Sequence, residues 1–456
     1  PWTCLEQQVS QAVALGDEAG WRGIAVRLPA YLDRDGLAKF WPNLNEGSDV
    51  LTAYLLSIAA EAGYAIPEPS RARMLEGLTG FVEGRVLRDS ALNTADLAVR
   101  KLAAMDALSH HAEVQAGWLD SFNLTPNLWP TSALIDWTNV LARSPHLPER
   151  DARLAEARRL LRARQNFSGT VLGFSTERSD NWWWLMAGGD SNANRMTLTA
   201  LADDAWSPAD LGRLMRGSLA RQQRGHWNTT VANAWGVLAT RRYSQKLENT
   251  AVSGVSEASL GKQRERHDWG KSQTGNTLLP WPDGQQRLTL VHKGQGRPWV
   301  TLSSLAAIPL KAPLDAGYRI AREVHPVEQR EPGVWHRGDV LRVRLTVDAQ
   351  TDMGWVALLD PIPPGSTLLG TGLTGDSALL SQGERRQGWV WPAFEERTHD
   401  SFRAYYRFVP KGRFSVEYTL RLNNEGHFKL PSARVEAMYA PELSGELPIA
   451  DMEVAP

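Results

Sequence analysis

The first ten residues, PWTCLEQQVS, contain the only cysteine among 456 residues and place a glutamine three positions after it. If this segment begins a helix, Cys4 and Gln7 lie on one face, with Cβ atoms about 5–6 Å apart. A thiol that displaces ammonia from a glutamine carboxamide forms an internal thioester. Because a thiol with a pKa of about 8.5 is a good leaving group, the thioester carbonyl is an activated acyl group. The ordinary interpretation of the spacing alone is a buried structural cysteine beside a solvated glutamine.

Composition excludes several classes of protein. The net charge is −1 and the pI is about 7.0, so nucleic acid is not expected as the main partner. No run of 18 apolar residues is present, so no membrane span is expected. A single cysteine cannot form a disulfide framework or a cysteine-rich metal site, and we predict neither a metal nor a cofactor. The chain begins with Pro rather than Met, and we expect a fragment or a processed product.

The first half of the chain has the apolar spacing of helices. Segments such as DVLTAYLLSIAAEAGY repeat apolar residues at intervals of three and four, and Ser48-Asp49 is a helix-start signal. Four segments, spaced about 50 to 85 residues apart, run from a polar turn into an apolar helix with Trp or Tyr. We predict that residues 1–243 form helical hairpins that close into an α/α toroid.

The pattern changes after residue 243. Residues 244–325 are rich in Gly, Ser and charged residues, which predicts loops between short strands. Residues 326–456 alternate apolar and polar side chains between Pro-Gly and Asn-Asn turns. This alternation predicts an antiparallel β-sandwich.

Three segments carry a resemblance to a known family. PWTCLEQ resembles the Pro-aromatic-x-Cys-Leu-Glu-Gln thioester motif of bacterial α2-macroglobulins, which are relatives of the complement proteins. GSDVLTAYLLSIAAEAG resembles a helix that follows this motif, and GRFSVEYTLRLNNEGHFKLPSARVEAMYAPEL resembles the last macroglobulin-type sandwich. The resemblance implies a multidomain α + β chain. Its domains would be an α/α-toroid thioester domain (1–243), a partial CUB-like β domain (244–325) and a macroglobulin-like β-sandwich (326–456).

The resemblance also implies a function. In this family a protease cleaves a bait region, which is expected upstream of this chain, and a conformational change exposes the thioester. A lysine of the protease then attacks the Gln7 carbonyl, Cys4 leaves, and the protease is held covalently. We therefore expect a broad-spectrum, single-use protease trap and not an enzyme. Its partners would be proteases and upstream domains of the same protein. We expect a periplasmic location, with any lipid anchor in an upstream segment.

The resemblance implies shielding of the thioester from water. Trp2, Met438 and Tyr439 are the predicted shielding residues, while ordinary strand packing is the alternative for Met438 and Tyr439. Complement-type members carry a histidine that favours hydroxyl nucleophiles, and its position falls within residues 85–96. That segment contains no histidine, so we predict direct attack by amines. Asn93 is the nearest polar analogue.

Two of these residues also have simpler interpretations. A helix N-cap is the favoured role for Asn93, because asparagine is a common capping residue. Glu6 either orients the amine or lies in solvent at the helix start, where the macrodipole favours an acid, and we favour the second role.

Two other functions stay open. The first is an α/α-toroid enzyme acting on glycans or isoprenoids, with Asp180 and Asp190 as acids and Trp182, Trp183 and Trp184 as a stacking surface. The second is an interaction module in which the thioester never forms. The mass of the protein and the reactivity of Cys4 would distinguish them.

Overall fold

The computed structural model describes residues 4–121, 126–180, 182–248, 250–300, 302, 310–370 and 383–456. Ten α-helices lie in these ranges, all before residue 248. They are α1 (Leu5–Leu15), α2 (Glu18–Tyr31), α3 (Asp49–Ala62), α4 (Glu68–Val82), α5 (Leu97–Ser109), α6 (Thr131–Arg143), α7 (Arg150–Arg164), α8 (Gly189–Leu201), α9 (Pro208–Leu219) and α10 (Thr230–Leu247).

The helices form a closed double ring. In the inner ring α1, α3, α5, α6, α8 and α10 pack in this order, and α10 returns to α1. Helices α2, α4, α7 and α9 lie outside it. Helix α3 is buried from Leu51 to Ala59, which explains its nearly uniform apolar sequence. Ser48 caps this helix by accepting a hydrogen bond from the Leu51 N–H, as its position predicted.

A short hairpin interrupts the helical region. It consists of β1 (Gln165–Ser168) and β2 (Val171–Phe174), which pair antiparallel. The sequence analysis assigned this region to helices only, and that assignment is wrong here. Each strand is four residues long, which is too short for an alternation of side chains to be recognised in the sequence.

The remaining chain forms antiparallel sheets. Strands β3 (Val255–Leu260), β4 (Gln263–Asp268) and β5 (Leu288–Lys293) form a three-stranded sheet in the order β4-β3-β5. The later strands are β6 (Leu314–Ala316), β7 (Tyr318–Glu328), β8 (Val340–Ala349), β9 (Met353–Pro361), β10 (Thr367–Leu368), β11 (Arg386–Gln387), β12 (Phe394–Arg397), β13 (Ser401–Val409), β14 (Gly412–Arg421), β15 (Gly426–Phe428), β16 (Ala433–Ala437), β17 (Ala440–Leu447) and β18 (Met452–Val454).

Two of these sheets form the sandwich. One has the order β10-β14-β8-β7, with β11 also on β14, and the other has the order β12-β13-β9-β16-β17-β6. Their facing side chains form one apolar core, which includes Val343, Leu345, Tyr406 and Tyr418. A small β15-β18 pair completes the β region. The predicted fold class, an α/α toroid followed by β domains with a terminal antiparallel sandwich, is confirmed. The three domain boundaries stay predictions.

The toroid and the sandwich are in direct contact. Trp183 of the helical region lies against Gly354 at the start of β9, where a Cβ atom would come within 2.4 Å of the indole ring. Only glycine permits this approach. The apolar cluster of the toroid also extends into the sandwich through Trp355, Ala357 and Tyr405.

Candidate functional site

Helix α1 positions the predicted thioester pair at this contact. Cys4 is the N-cap residue, and the Leu5 N–H donates to the Phe40 carbonyl at 2.9 Å, which anchors the helix start. Cys4 is 0% exposed and Gln7 is 6% exposed. Gln7 Oε1 is buried without a hydrogen-bond partner among the described residues. One helical turn separates the two side chains, as the spacing predicted, while the covalent bond between them stays a prediction.

The environment of Cys4 opposes a charged sulfur. Burial and the nearby Glu6 carboxyl raise the pKa of the Cys4 thiol well above its usual value. The backbone N–H groups of Gln7 and Glu6 offset only part of this rise. A free Cys4 is therefore neutral in this closed arrangement.

Glu6 does not lie in solvent, so the favoured sequence interpretation is wrong. Its side chain is 0% exposed. Glu6 Oε1 accepts hydrogen bonds from Ser10 Oγ at 2.6 Å and from Thr230 Oγ1 at 2.8 Å. Glu6 Oε2 accepts one from the Tyr439 hydroxyl at 3.0 Å. Burial raises the pKa of Glu6, and the three hydroxyl donors oppose that rise. The macrodipole rule assumes a helix start that is exposed to solvent, whereas tertiary contacts bury the start of α1.

Met438 and Tyr439 are buried against the toroid, while their shielding role stays a prediction. They form the turn between β16 and β17 and are 9% and 6% exposed. Both belong to the apolar cluster that contains Cys4, and not to the sandwich core. The alternative of strand packing within the sandwich is therefore wrong. Burial and Glu6 raise the pKa of Tyr439 well above its usual value, so its hydroxyl remains a donor.

An aromatic cluster that was not predicted from the sequence packs at the same contact between the toroid and the sandwich. Trp41 of the toroid has ring centroids 4.9 Å from Tyr405, 5.4 Å from Phe394 and 5.5 Å from Trp355. Phe40 lies 4.3 Å from Trp355. Trp355 has φ of 48°, a left-handed conformation that is uncommon for a large side chain. The Met438 N–H donates to its carbonyl at 2.8 Å.

The other predicted modulator, Asn93, does not join this site. Asn93 is exposed, its Oδ1 accepts from the Ser90 N–H, and its Nδ2 donates to Asp89 at 3.4 Å. Helix α5 begins at Leu97 with Asp96 as the N-cap residue, so the predicted N-cap role of Asn93 is wrong. Trp2 lies outside the described residues.

Asp180 and Asp190 have structural partners. Asp180 accepts from the Thr131 N–H at 2.9 Å and from the Thr131 hydroxyl at 2.6 Å, and so caps α6. Asp190 accepts from Arg221 at 2.6 Å and from the Asn228 N–H at 3.0 Å. Both carboxylates are buried and occupied by these contacts, which does not favour a glycan- or isoprenoid-processing site.

A second buried cluster of charged residues lies on the toroid axis. Arg195 contacts Asp136 and lies 3.2 Å from Asp106, which also pairs with Arg143 at 2.6 Å. Burial raises the pKa of Asp136 to about 7, although Arg195 opposes the rise. Burial would also raise the pKa of Asp106, but Arg143 and Arg195 outweigh it and hold that pKa below its usual value. A cavity of about 80 Å³ adjoins these groups.

Two classes of site have no candidate in the described part of the chain. No group of three or more His, Cys, Asp or Glu side chains in those ranges could hold a metal ion. None of the helices there has the length and apolar character needed to cross a bilayer.

Comparisons with known proteins define the class of fold. A model of the bacterial alpha-2-macroglobulin MG10 domain matches residues 317–442. Native alpha-2-macroglobulin from Escherichia coli, spanning domain MG7 to the C-terminus, is similar with a TM-score of 0.69 and 18% identity. That match covers 100% of this chain and 74% of the other. The chain therefore has the fold of the C-terminal part of a bacterial α2-macroglobulin, and the resemblance found in the sequence is confirmed.

Two further matches are to proteins much longer than this chain. Salmonella alpha-2-macroglobulin reacted with methylamine has a TM-score of 0.70 and 19% identity, over 99% of this chain and 30% of that chain. The curated protein "Circularly permutated Ras protein 2" of Dictyostelium discoideum is 27% identical over 108 residues, which are 24% of this chain and 2% of that protein. The chain thus spans under a third of the length of both proteins.

Proposed function

We propose that this chain is the reactive part of a covalent protease trap, with an internal thioester between Cys4 Sγ and the Gln7 side-chain carbonyl. The observation that carries the proposal is the position of this pair. Cys4 and Gln7 lie one turn apart, both buried, beneath a turn of the sandwich that supplies Met438 and Tyr439. An electrophile that must survive in water and then react needs a removable cover of this kind.

The unpartnered Gln7 carboxamide oxygen supports the thioester. A buried polar group without a hydrogen-bond partner costs about 1–3 kcal/mol, because it loses water and gains nothing in return. Thioester formation removes the amide N–H donors and leaves a weaker acceptor, which suits an apolar environment better. The Salmonella relative is described as reacted with methylamine, which is a small amine nucleophile. This description favours the same chemistry here.

The segment in which complement-type relatives carry a histidine has none in this chain, which supports a preference for amine nucleophiles. Residues 85–96 contain no histidine, so no imidazole is available there to transfer the acyl group to a hydroxyl. The proposed reaction is direct attack by lysine amines of a bound protease after upstream bait cleavage. A periplasmic location remains part of this proposal, because a trap of this kind meets foreign proteases there.

Intact mass of the full-length protein tests the proposal. The wild-type mass should lie below the sequence mass by one ammonia, Cys4 should resist alkylation, and methylamine should add its own mass and free the thiol. Cys4→Ala and Gln7→Ala should both have the full sequence mass. Gln11→Ala is the matched control, because Gln11 is exposed on the same helix, and it should behave as wild type. A native wild-type protein with full mass and an alkylatable Cys4 would indicate the interaction module instead.

A further inference from the structure

Glu6 is a buried carboxylate without a cationic partner. Ser10, Thr230 and Tyr439 supply its hydrogen bonds, and no Lys, Arg or His within the described ranges forms an ion pair with it. Because burying a charge is costly, a structural acid usually has a cationic partner or, like Asp180, caps a helix by accepting from a backbone N–H. The donors to Glu6 are hydroxyl groups instead. Glu6 is two residues from Cys4 on α1, and its partner Tyr439 belongs to the apolar cluster that contains Cys4.

The two oxygens of Glu6 are held by different parts of the molecule. Among the described residues, the donors to Oε1 are Ser10 and Thr230 of the toroid, and Ser10 is in turn 2.6 Å from the Tyr54 hydroxyl. Oε2 is bonded by Tyr439 of the sandwich. Separation of the sandwich from the toroid would therefore free Oε2 and leave the carboxylate fixed on α1 through Oε1.

We infer that Glu6 is the proton carrier of the acyl transfer, and that Tyr439 occupies its accepting oxygen until the sandwich moves away. The inference rests on the proposed thioester. At neutral pH the attacking lysine is an ammonium, which cannot attack until it loses a proton. Glu6 Oε2 is the carboxylate oxygen that the opening would free, on the same helical turn as Cys4 and Gln7.

The acyl transfer to an ammonium nucleophile conserves atoms, charge and electron pairs. The ammonium gives one proton to Glu6, and its nitrogen lone pair then forms a bond to the Gln7 carbonyl carbon. The carbon–sulfur bond breaks and its electron pair leaves on Cys4 Sγ. Glu6 passes its proton to the sulfur, and the nitrogen releases a second proton to water. The products are an amide at Gln7 and a neutral thiol at Cys4, which agrees with the raised pKa of that thiol.

Another acid near Cys4 is less suited to this role. Glu396 of β12 also raises the pKa of Cys4, with a smaller effect than Glu6. It accepts from the Tyr405 hydroxyl at 3.2 Å and lies 3.5 Å from Arg403 Nη1. Glu396 and these two partners lie on the sandwich strands β12 and β13, so Glu396 would leave with the sandwich.

The pH dependence of methylamine cleavage tests the inference. Thiol release from full-length protein is measured where the rate is proportional to methylamine concentration. With a proton carrier, the wild-type rate should be nearly constant between the pKa of Glu6 and that of the amine. The rate of thiol release from the Glu6→Gln variant should instead rise about tenfold per pH unit, because only the unprotonated amine reacts. Near neutral pH this rate should be about 10²-fold lower than that of the wild type. Glu6→Asp should restore part of the wild-type profile.

Two controls separate proton transfer from a packing effect. Glu18→Gln removes an exposed acid from the first turn of α2 and should leave the profile unchanged. Hydroxylamine is already neutral at neutral pH, so the ratio of wild-type to Glu6→Gln rates should not vary with pH for this nucleophile.

The outcomes distinguish this inference from the proposed function. A wild-type protein that is not lighter by one ammonia contradicts the thioester itself. A wild-type protein with the thioester whose rate follows free methylamine alone at every pH overturns the role of Glu6, and this result needs no variant. Equal profiles for wild type and Glu6→Gln overturn it as well.

Discussion

Two of the sites where the toroid buries carboxylates have partners of different kinds. On the axis, Asp106 and Asp136 are paired with Arg143 and Arg195. At the start of α1, Glu6 is held by hydroxyl groups alone. Both positions are almost fully closed to solvent, so burial does not explain the difference.

The origin of the partners explains it better. The axial ion pairs join α5, α6 and α8, all within the toroid. The donors to Glu6 come from α1, α10 and the sandwich turn. Water can replace a neutral hydroxyl at modest cost, whereas breaking a buried ion pair leaves an uncompensated charge. These contacts favour an axis that stays closed, and they fit the proposed separation at the α1 site.

Loss of an axial arginine should have the largest effect. Arg195→Met leaves Asp136 without its cation beside Asp106, and should lower the free energy of unfolding of the toroid by about 3–5 kcal/mol. Denaturant unfolding followed by tryptophan fluorescence measures this loss. Arg159→Met is the control, because Arg159 is exposed on α7, and it should change stability by less than about 0.5 kcal/mol. An Arg195→Met protein as stable as wild type would remove the distinction between the two clusters.

Loss of the Tyr439 hydroxyl should have an intermediate effect that appears in reactivity. Tyr439→Phe removes a hydrogen bond to a charged group, worth about 1.5–3 kcal/mol, and should weaken docking of the sandwich. Methylamine should then release the Cys4 thiol at least about tenfold faster without any protease.

Two matched variants check this interpretation. Tyr406→Phe removes a buried hydroxyl with no partner in the described structure, and should leave the rate unchanged. Ser10→Ala removes a donor to Glu6 that belongs to the same helix, so it should lower the stability of the toroid. It should accelerate thiol release far less than Tyr439→Phe does. Equal acceleration by both Glu6-donor variants would contradict the separation of the two oxygens.

The smallest expected effect is a pH dependence of the free energy of unfolding that arises from Asp136 on the toroid axis. Folding raises the pKa of Asp136 from 3.8 to about 7, so the folded state holds an extra proton between these values. The stabilisation is complete below the lower pKa and is lost as pH rises through the upper one. Between about pH 6 and pH 7.5 the free energy of unfolding should fall by about 1 kcal/mol, and Asp136→Asn should abolish this fall. An identical pH slope in the variant would show that another group titrates.

The sequence was sufficient for local structure and for the pair on α1. The helix starts follow from residues such as Ser48, and Cys4 and Gln7 share a face because they are three residues apart. The positions of Met438 and Tyr439 followed from the resemblance alone. Closure of the helices into a ring was predicted, although periodicity cannot distinguish a ring from an open stack. Which helices close it, α1 and α10, came from the structure.

The partners of the site could not be deduced. Tyr439 and Glu6 are 433 positions apart, and no local pattern connects them. Trp41 and Trp355 look like core residues in the sequence, because an aromatic side chain at a domain contact has the same pattern as one in a core. Glu6 was placed in solvent because the rule for helix starts assumes that the end is exposed.

The left-handed backbone conformation of Trp355 is a source of strain at the contact between the toroid and the sandwich. Such a conformation costs about 1–3 kcal/mol and persists only where its surroundings impose it. Here Phe40 and Trp41 of the toroid help to hold it. In the proposed mechanism, separation of the sandwich would remove these rings and let the residue relax into extended backbone. Return of the sandwich would then have to restore the strain, which would favour the separated state.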